Sequence, residues 1–196
     1  ALALRGYLPV EELKTLRKNG SRLQGHPIAT YLPGIDVSTG SLGVGFAQAV
    51  GIAMEGKLLK KDYKVYAVLG DGEINEGIIW EASLAAAKYK LDNLVCFVDD
   101  NKYQLDGAVD KVMSHGKGIG AKFDAFGWNV IDVADGNDVE QILGALEQAK
   151  ACKGKPTCLI LNTVKGKGAT FAEPSGAHSS QPTKEQWDEA IAASEA

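Results

Sequence analysis

Lys64-Val65-Tyr66-Ala67-Val68-Leu69-Gly70-Asp71-Gly72-Glu73-Ile74-Asn75-Glu76-Gly77 opens the stretch that decides the fold, and Leu94-Val95-Cys96-Phe97-Val98-Asp99-Asp100-Asn101 closes it. Residues 64–69 are rich in β-branched and aromatic residues, with charge before them and Gly70-Asp71-Gly72 after, which predicts a strand. Residues 76–90, followed by Leu91, carry Trp80, Leu84, Ala87 and Leu91 at helical spacing, which predicts a helix with that apolar stripe. Leu94 to Val98 is apolar without interruption, the pattern of a strand buried on both faces. The helix joins the two strands, which are then expected as parallel neighbours with their carboxyl ends at one edge of a sheet.

The alternation extends in both directions. Upstream, Pro9-Val10-Glu11-Glu12-Leu13 opens a short helix with Val10, Leu13 and Leu16 on one stripe. Residues 20–43 are loop-like. Residues 44–57 form a helix rich in small residues (Ala47, Ala49, Gly51, Ala53), which let another element come close. Downstream, 107–120 is an excursion without a core pattern, 128–133 is a third strand and 157–161 a fourth. Asn137 and Glu140 form a capping box for a helix with Val139, Ile142, Leu143 and Leu146 inward. Thr183 and Gln186 cap a last helix carrying Trp187 and Ile191. The fold class is therefore α/β, a parallel sheet with helices on both faces. No linker or internal repeat divides residues 1–196, which are expected to be one module. Ala1 to Leu4 are apolar with no initial methionine, and are read as a helix cut in its middle, so the module is expected to be truncated at its N-terminus.

A chain of 196 residues buries roughly 70% of its unfolded surface and needs no disulfides to hold a core. Lys plus Arg number 21 against 25 Asp plus Glu, a net charge of −4, so the basic excess of a nucleic-acid binder is missing. The apolar runs fall far short of the ~18 residues of a membrane span, and no signal-peptide pattern is visible. No nucleic acid and no membrane are expected as partners. Cys96, Cys152 and Cys158 form no CxxC pair, and two of them lie in apolar runs, as thiols buried in a reducing, cytoplasmic setting do. The 23 glycines cluster between Gly34 and Gly77 and between Gly107 and Gly120, marking backbone that turns sharply or approaches a ligand closely.

Ligands of an open parallel sheet bind beyond the carboxyl ends of the strands. Asp71 and Asn101 both fall there, thirty positions apart. One carboxylate and one amide oxygen suit Mg2+, which takes one or two protein carboxylates and completes its octahedron with phosphates and water. The flanking glycines expose backbone N–H groups to a diphosphate, and the following helix N-terminus favours an anion. A tight turn with a structural aspartate accounts for the same three residues, so Gly-Asp-Gly alone does not decide. Other motifs are ruled out. GxGxxG needs glycine at 75, where Asn75 stands. Gly51 to Lys57 mimics a phosphate-binding loop, but Leu58 replaces the required Ser or Thr and no strand leads in. His26, His115 and His178 have no zinc-ligand spacing, and no serine sits in a GxSxG elbow. His26 and His178 lie in glycine-containing loops, where functional groups concentrate, although a lone histidine is more often a surface or loop residue.

Taken together these segments resemble transketolase. Gly70-Asp71-Gly72 with Asn101 resembles the thiamine-diphosphate signature. The string at 70–82 (Gly-Asp-Gly-Glu-Ile-Asn-Glu-Gly-Ile-Ile-Trp-Glu-Ala), Gly25-His26-Pro27, residues 33–43 (Pro-Gly-Ile-Asp-Val-Ser-Thr-Gly-Ser-Leu-Gly), Asp99-Asp100-Asn101-Lys102, Ala125-Phe126-Gly127-Trp128 and Lys165-Gly166-Lys167-Gly168 follow in the family's order. The resemblance covers roughly residues 5–190, one diphosphate-binding module of a family that has three. It implies the N-terminal subunit of a split transketolase, with a C-terminal subunit carrying the pyrimidine-binding module as its partner in an α2β2 assembly; a piece of a full-length enzyme is the second reading.

The implied cofactors are thiamine diphosphate and Mg2+, with Ca2+ or Mn2+ as substitutes. Asp71, Asn101 and the Tyr103 carbonyl match the metal ligands. Gly70 and Gly72 match the diphosphate turn, and Gly40, Ser41 and Leu42 match the loop at the aminopyrimidine. His26 matches a histidine facing the sugar, and Glu76 a glutamate at the subunit boundary that links paired sites. His178 matches a histidine near diphosphate and substrate, although the family's Trp-His-Gly is Ala177-His178-Ser179 here. Lys165 is placed to reach phosphate. The implied reaction, of pentose phosphate metabolism, passes a two-carbon ketol unit from a ketose phosphate to an aldose phosphate. The family's Ser-x-Gly-His segment, the glutamate that protonates the aminopyrimidine and the phosphate-holding arginines are not in this sequence. A 2-oxoacid dehydrogenase α subunit or a deoxyxylulose-phosphate synthase would also keep Asp71 and Asn101, but the 33–43 loop favours transketolase. A non-catalytic fragment that binds a partner chain is the reading from a different class.

Overall fold

The computed structural model describes residues 1–173, 178–179 and 181–194. Ala177, where the family's tryptophan is expected, lies outside the described residues. The elements are α1 (Val44–Leu58), β1 (Val65–Gly70), α2 (Gly77–Lys88), β2 (Leu94–Asp100), β3 (Tyr103–Gln104), β4 (Gly107–Ala108), α3 (Val109–Val112), α4 (Ile119–Ala125), β5 (Asn129–Val133), α5 (Val139–Ala151), β6 (Thr157–Asn162) and α6 (Lys184–Ser194). The four expected strands form one sheet in the order β1-β2-β6-β5, parallel at every pairing. β3 and β4 make a separate antiparallel ribbon. Gly70 pairs with Asp99, so the ends of β1 and β2 coincide.

Successive side chains of a strand leave on opposite faces. Leu94, Cys96 and Val98 join Ala67, Leu69, Cys158 and Ile160 under α1, α2 and α4. Val95, Leu159 and Val133 turn the other way and meet Ala145 and Ala149 of α5. A central strand that serves both cores is apolar at consecutive positions, which is why 94–98 shows no alternation. Each fully buried aliphatic side chain contributes roughly 1.5–3 kcal/mol. Trp128 lies between Phe46 and Phe123, at ring centroid distances of 6.0 and 5.2 Å. Its indole N–H donates to the Ser83 carbonyl at 3.1 Å, so its polar atom is satisfied in the core. Cys96 and Cys158 are free, buried cross-strand partners, and burial pushes the Cys158 thiol up.

Several details depart from the periodicity. α2 buries Ile79, Ala82, Ser83 and Ala86, while Leu84 is exposed and Trp80 and Ala87 are half-buried. The row facing the sheet is Ile79 with three small side chains, while Leu84 and Trp80 turn to its flank. α5 does the same: Ala145 and Ala149 are buried, Ile142 and Leu146 half-buried, and Val139 and Leu143 exposed. Its N-cap is Asp138, whose Oδ1 accepts from the Glu140 N–H at 2.9 Å; Asn137 Oδ1 accepts instead from the Val164 N–H, at 2.9 Å. Val10–Thr15 is a 3-10 helix, and Val10, Leu13 and Leu16 along it are exposed. The 107–120 excursion does contribute to the interior, through Val109, His115 and Ile119, and it leads into α4, which periodicity did not predict. The Thr183–Gln186 capping box forms in both directions, at 3.3 and 2.9 Å. Residues 1–7 make a turn in which Tyr7 N–H donates to the Leu2 carbonyl and Gly6 N–H to that of Ala3, the pairing that closes a helix at its carboxyl end. Among the described residues no helix is long and apolar enough to cross a membrane.

Candidate functional site

The carboxyl ends of β1, β2 and β6 gather Asp71, Asp99, Asp100, Asn101 and Thr163 at one edge. The Asp71 N–H donates to the Asp99 carbonyl at 3.2 Å. Asp71 is 1% exposed, and its Oδ2 has no hydrogen-bond partner among the described residues. Burial pushes its pKa up; the N–H groups of Gly72 and Lys102 draw it back, and Asp100 and Asp99 push it further. Leaving a buried polar group unanswered costs about 1–3 kcal/mol, and more for a charge. The other two carboxylates are answered. Asp99 accepts from Asn101 Nδ2 at 3.0 Å and from the Thr163 hydroxyl. Asp100 pairs with Lys102, which also reaches Asn162 Oδ1 at 3.1 Å. Asn101 Oδ1 accepts from the Tyr103 N–H at 3.0 Å and keeps a second lone pair for another partner. Tyr103 starts the β3–β4 ribbon immediately beyond. No group of three His, Cys, Asp or Glu side chains is arranged to hold a metal among the described residues. A cation here would rest on one carboxylate with amide and carbonyl oxygens, a set that suits Mg2+ with phosphate.

Neither glycine of the turn is demanded by a left-handed backbone. A Cβ on Gly70 would meet nothing within 4 Å, whereas one on Gly72 would press against Gln104 at 3.3 Å. The missing side chain of Gly70 keeps open room over the turn, as a diphosphate cradle needs, and that of Gly72 lets the β3 residue Gln104 come close. Lys165 shares a groove of about 560 Å³ with Asp99, Asn101, Asn137 and Thr163, which sets an ammonium beside the same edge.

His26 and the 40–42 loop meet in the structure. Gly40 has φ 135°, and any Cβ there would run into the His26 ring. His26 itself is exposed. Gly40, Ser41 and Leu42 line a groove of about 890 Å³ that also includes Phe46, Tyr66 and Glu73, and Leu42 is 55% exposed, an apolar side chain held open. Gly43, at φ 79°, opens α1. Glu76 is exposed at the N-cap of α2, next to Gly43. His178 is exposed and lines neither of these two grooves.

Two residues that sequence patterns did not single out stand at this edge. Glu73 accepts from the Gly43 N–H at 2.7 Å and from the Gly70 N–H at 3.2 Å. His115 is buried, 3.4 Å by Nδ1 from Lys122 Nζ. An ammonium only donates, so Nδ1 is the acceptor and the ring proton sits on Nε2, which has no hydrogen-bond partner among the described residues. Burial pushes the His115 pKa down and Lys122 adds to that, while Asp100 and the Asp71 backbone oppose it. Lys122 lies over the Trp80 ring at 5.6 Å, a cation–π contact. The only sequence signal for His115 was its place in a glycine-rich excursion; Glu73 had none beyond its place in the turn.

Residues 1–192 match the family model for transketolase, thiamine diphosphate binding domain. The chain is 43% identical over 193 residues to the 6-deoxy-6-sulfo-D-fructose transketolase subunit SqwG of Clostridium sp. (strain MSTE9), covering 98% of this chain and 70% of that protein. It is 41% identical to an apulose-4-phosphate transketolase subunit of Phocaeicola vulgatus, covering 97% and 67%. The solved transketolase of Pichia stipitis in complex with sedoheptulose-7-phosphate matches with a TM-score of 0.81 and 36% identity, over 85% of this chain and 26% of that one. The chain thus spans about two thirds of these subunit-type relatives and about a quarter of the longer enzyme. With a parallel sheet, an unanswered aspartate at its carboxyl edge and a match over nearly every residue, the chain belongs to the transketolase family, whose thiamine diphosphate binding domain it carries.

Proposed function

We propose that this chain is the diphosphate-binding subunit of a split transketolase. Joined to a second subunit that carries the pyrimidine-binding module, in an α2β2 assembly, it moves a two-carbon ketol unit from a ketose or its phosphate to an aldose or its phosphate. The observation that carries this is Asp71, an almost fully buried carboxylate at the carboxyl edge of the sheet whose Oδ2 has no partner among the described residues. The residues present fit the expected group. Asp71, Asn101 and the Tyr103 carbonyl would hold Mg2+, the Gly70–Gly72 turn the diphosphate, and Lys165 would reach phosphate. When bound, thiamine diphosphate supplies the electron sink for carbon–carbon cleavage.

The chain's own side chains bind and orient. His26, exposed against Gly40, is set to hydrogen-bond a sugar hydroxyl. Leu42 would pack on the cofactor. Glu76, exposed beside Gly43, faces the subunit boundary, and His178 is assigned to the substrate by its family match alone. Relatives named for 6-deoxy-6-sulfo-D-fructose and apulose-4-phosphate favour a phosphorylated or sulfonated ketose as donor over one confined to pentose phosphate metabolism. The test is a ketose–aldose transfer assay with saturating thiamine diphosphate and Mg2+, with and without the pyrimidine-module subunit. Turnover is expected only with both subunits, because removing a general acid–base partner alone lowers the rate by about 10² to 10⁴. Robust turnover by this chain as a verified single species would overturn the proposal.

A further inference from the structure

The two loops assigned above to opposite ends of the cofactor come from segments thirty residues apart. They are joined by one side chain. Glu73 Oε1 accepts from the Gly43 N–H at 2.7 Å and Oε2 from the Gly70 N–H at 3.2 Å. Gly43 is the N-cap of α1 and has no side chain; the carboxylate bonds the N-cap's own N–H, as the acid of a capping box does, at the helix end where negative charge is favoured by the dipole. Glu73 is itself fixed. It belongs to a single 3-10 turn, Glu73–Asn75, whose next residue, Ile74, is fully buried. An anchored carboxylate with both oxygens engaged by charge-assisted hydrogen bonds holds its partners in one geometry.

We infer that Glu73 is a positioning residue that sets the spacing between the Gly40–Gly43 loop and the Gly70–Gly72 turn, and so lets one rigid cofactor contact both. This rests on the function proposed above. Glu73 touches neither reacting atoms nor metal ligands; it acts through two backbone amides, one on each loop. Glu73→Gln keeps the length but has one acceptor oxygen, and its NH2 group faces an N–H. Glu73→Asp keeps the charge but is one methylene too short to span both amides.

The experiment uses the assembled two-subunit enzyme at saturating Mg2+. It measures affinity for thiamine diphosphate and, separately, for inorganic pyrophosphate, which spans only the turn. Apo melting temperatures are recorded alongside. In both variants thiamine diphosphate affinity is expected to fall about tenfold, the worth of one lost charge-assisted hydrogen bond, while pyrophosphate affinity stays within about twofold. Unchanged thiamine diphosphate affinity would overturn the inference. So would an equal loss for both ligands with a lowered melting temperature, since that is local damage to the turn. If the wild-type assembly binds neither ligand with Mg2+, it is the cofactor assignment that fails, and not the role of Glu73.

Discussion

Asp92 and Asp71 stand at opposite ends of the β1–β2 pair, and their surroundings have opposite character. Asp92 sits at the amino edge, where Oδ1 accepts from Lys57 Nζ at 3.1 Å and Oδ2 from the Gly154 N–H at 2.9 Å. Burial pushes its pKa up, but the Gly154 N–H and the Lys57 ammonium outweigh that and hold it below the usual carboxylate range. Asp71, at the carboxyl edge, is more deeply buried, faces two more carboxylates and has no cation, so its pKa is raised. The orphan at the amino edge is a neutral amide oxygen, Asn93 Oδ1, whereas the carboxyl edge leaves Asp71 Oδ2 and His115 Nε2 unanswered among the described residues. The same residue type therefore ties the chain together at one end and, among the described residues, keeps an oxygen without a partner at the other.

The widest separation between the two edges is expected from Asp71→Ala. In the assembled enzyme it should weaken Mg2+-dependent thiamine diphosphate binding by about 100-fold or more, beyond the 10- to 100-fold typical of losing an outer-shell partner. Titration with and without EDTA checks this, and equal affinity in the two conditions would remove the metal from the site. Next in size is His26→Ala, which should lower kcat/KM for the ketose about 10- to 100-fold, the worth of one or two hydrogen bonds, with cofactor affinity near wild type. A histidine that only holds its loop would instead lower the melting temperature and leave the kinetics little changed.

At the amino edge, Asp92→Ala should lower stability by about 1–2 kcal/mol, roughly 2–8 °C in Tm, without altering cofactor affinity per folded molecule. Asp71→Asn should act in the other direction and stabilise the metal-free protein by about 1 kcal/mol, since an unpaired buried charge is removed. pH distinguishes the two by sign. The contribution of Asp92, whose folded pKa is lowered, is present above the ordinary carboxylate range and is lost as pH falls through the folded value. The contribution of Asp71, whose folded pKa is raised, is present below the ordinary range and is lost as pH rises through its folded value. Denaturation curves between about pH 3 and 7 should therefore show the Asp92→Ala deficit and the Asp71→Asn gain both shrinking toward acid. A gain for Asp71→Asn that stays constant into acid would mean that the folded pKa of Asp71 is not raised.

Much of the carboxyl edge was legible before any coordinates. Asp71 and Asn101 could be placed together because a βαβ unit brings strand ends to one side, and the pairing of Gly70 with Asp99 realises that. The contact of His26 with Gly40 was not legible, since no local pattern joins residues 14 apart in a loop. The sequence does not separate Glu73 from Glu76. Both acids lie in the same turn, and only the folded chain reveals which one reaches back to Gly43.

The sequence by itself determined the α/β class, the four parallel strands and the edge at which Asp71 and Asn101 meet. Those follow from uninterrupted apolarity, strand–helix alternation and turn residues, which are local imprints of burial. Only the tertiary structure decided that α2 and α5 bury their small-residue rows, that His115 lies in the interior beside Lys122, and that one glutamate joins two loops. Each of these depends on which surface a neighbouring element presents across a long stretch of chain, and the helix or turn concerned carries no periodic signal of its neighbour's shape.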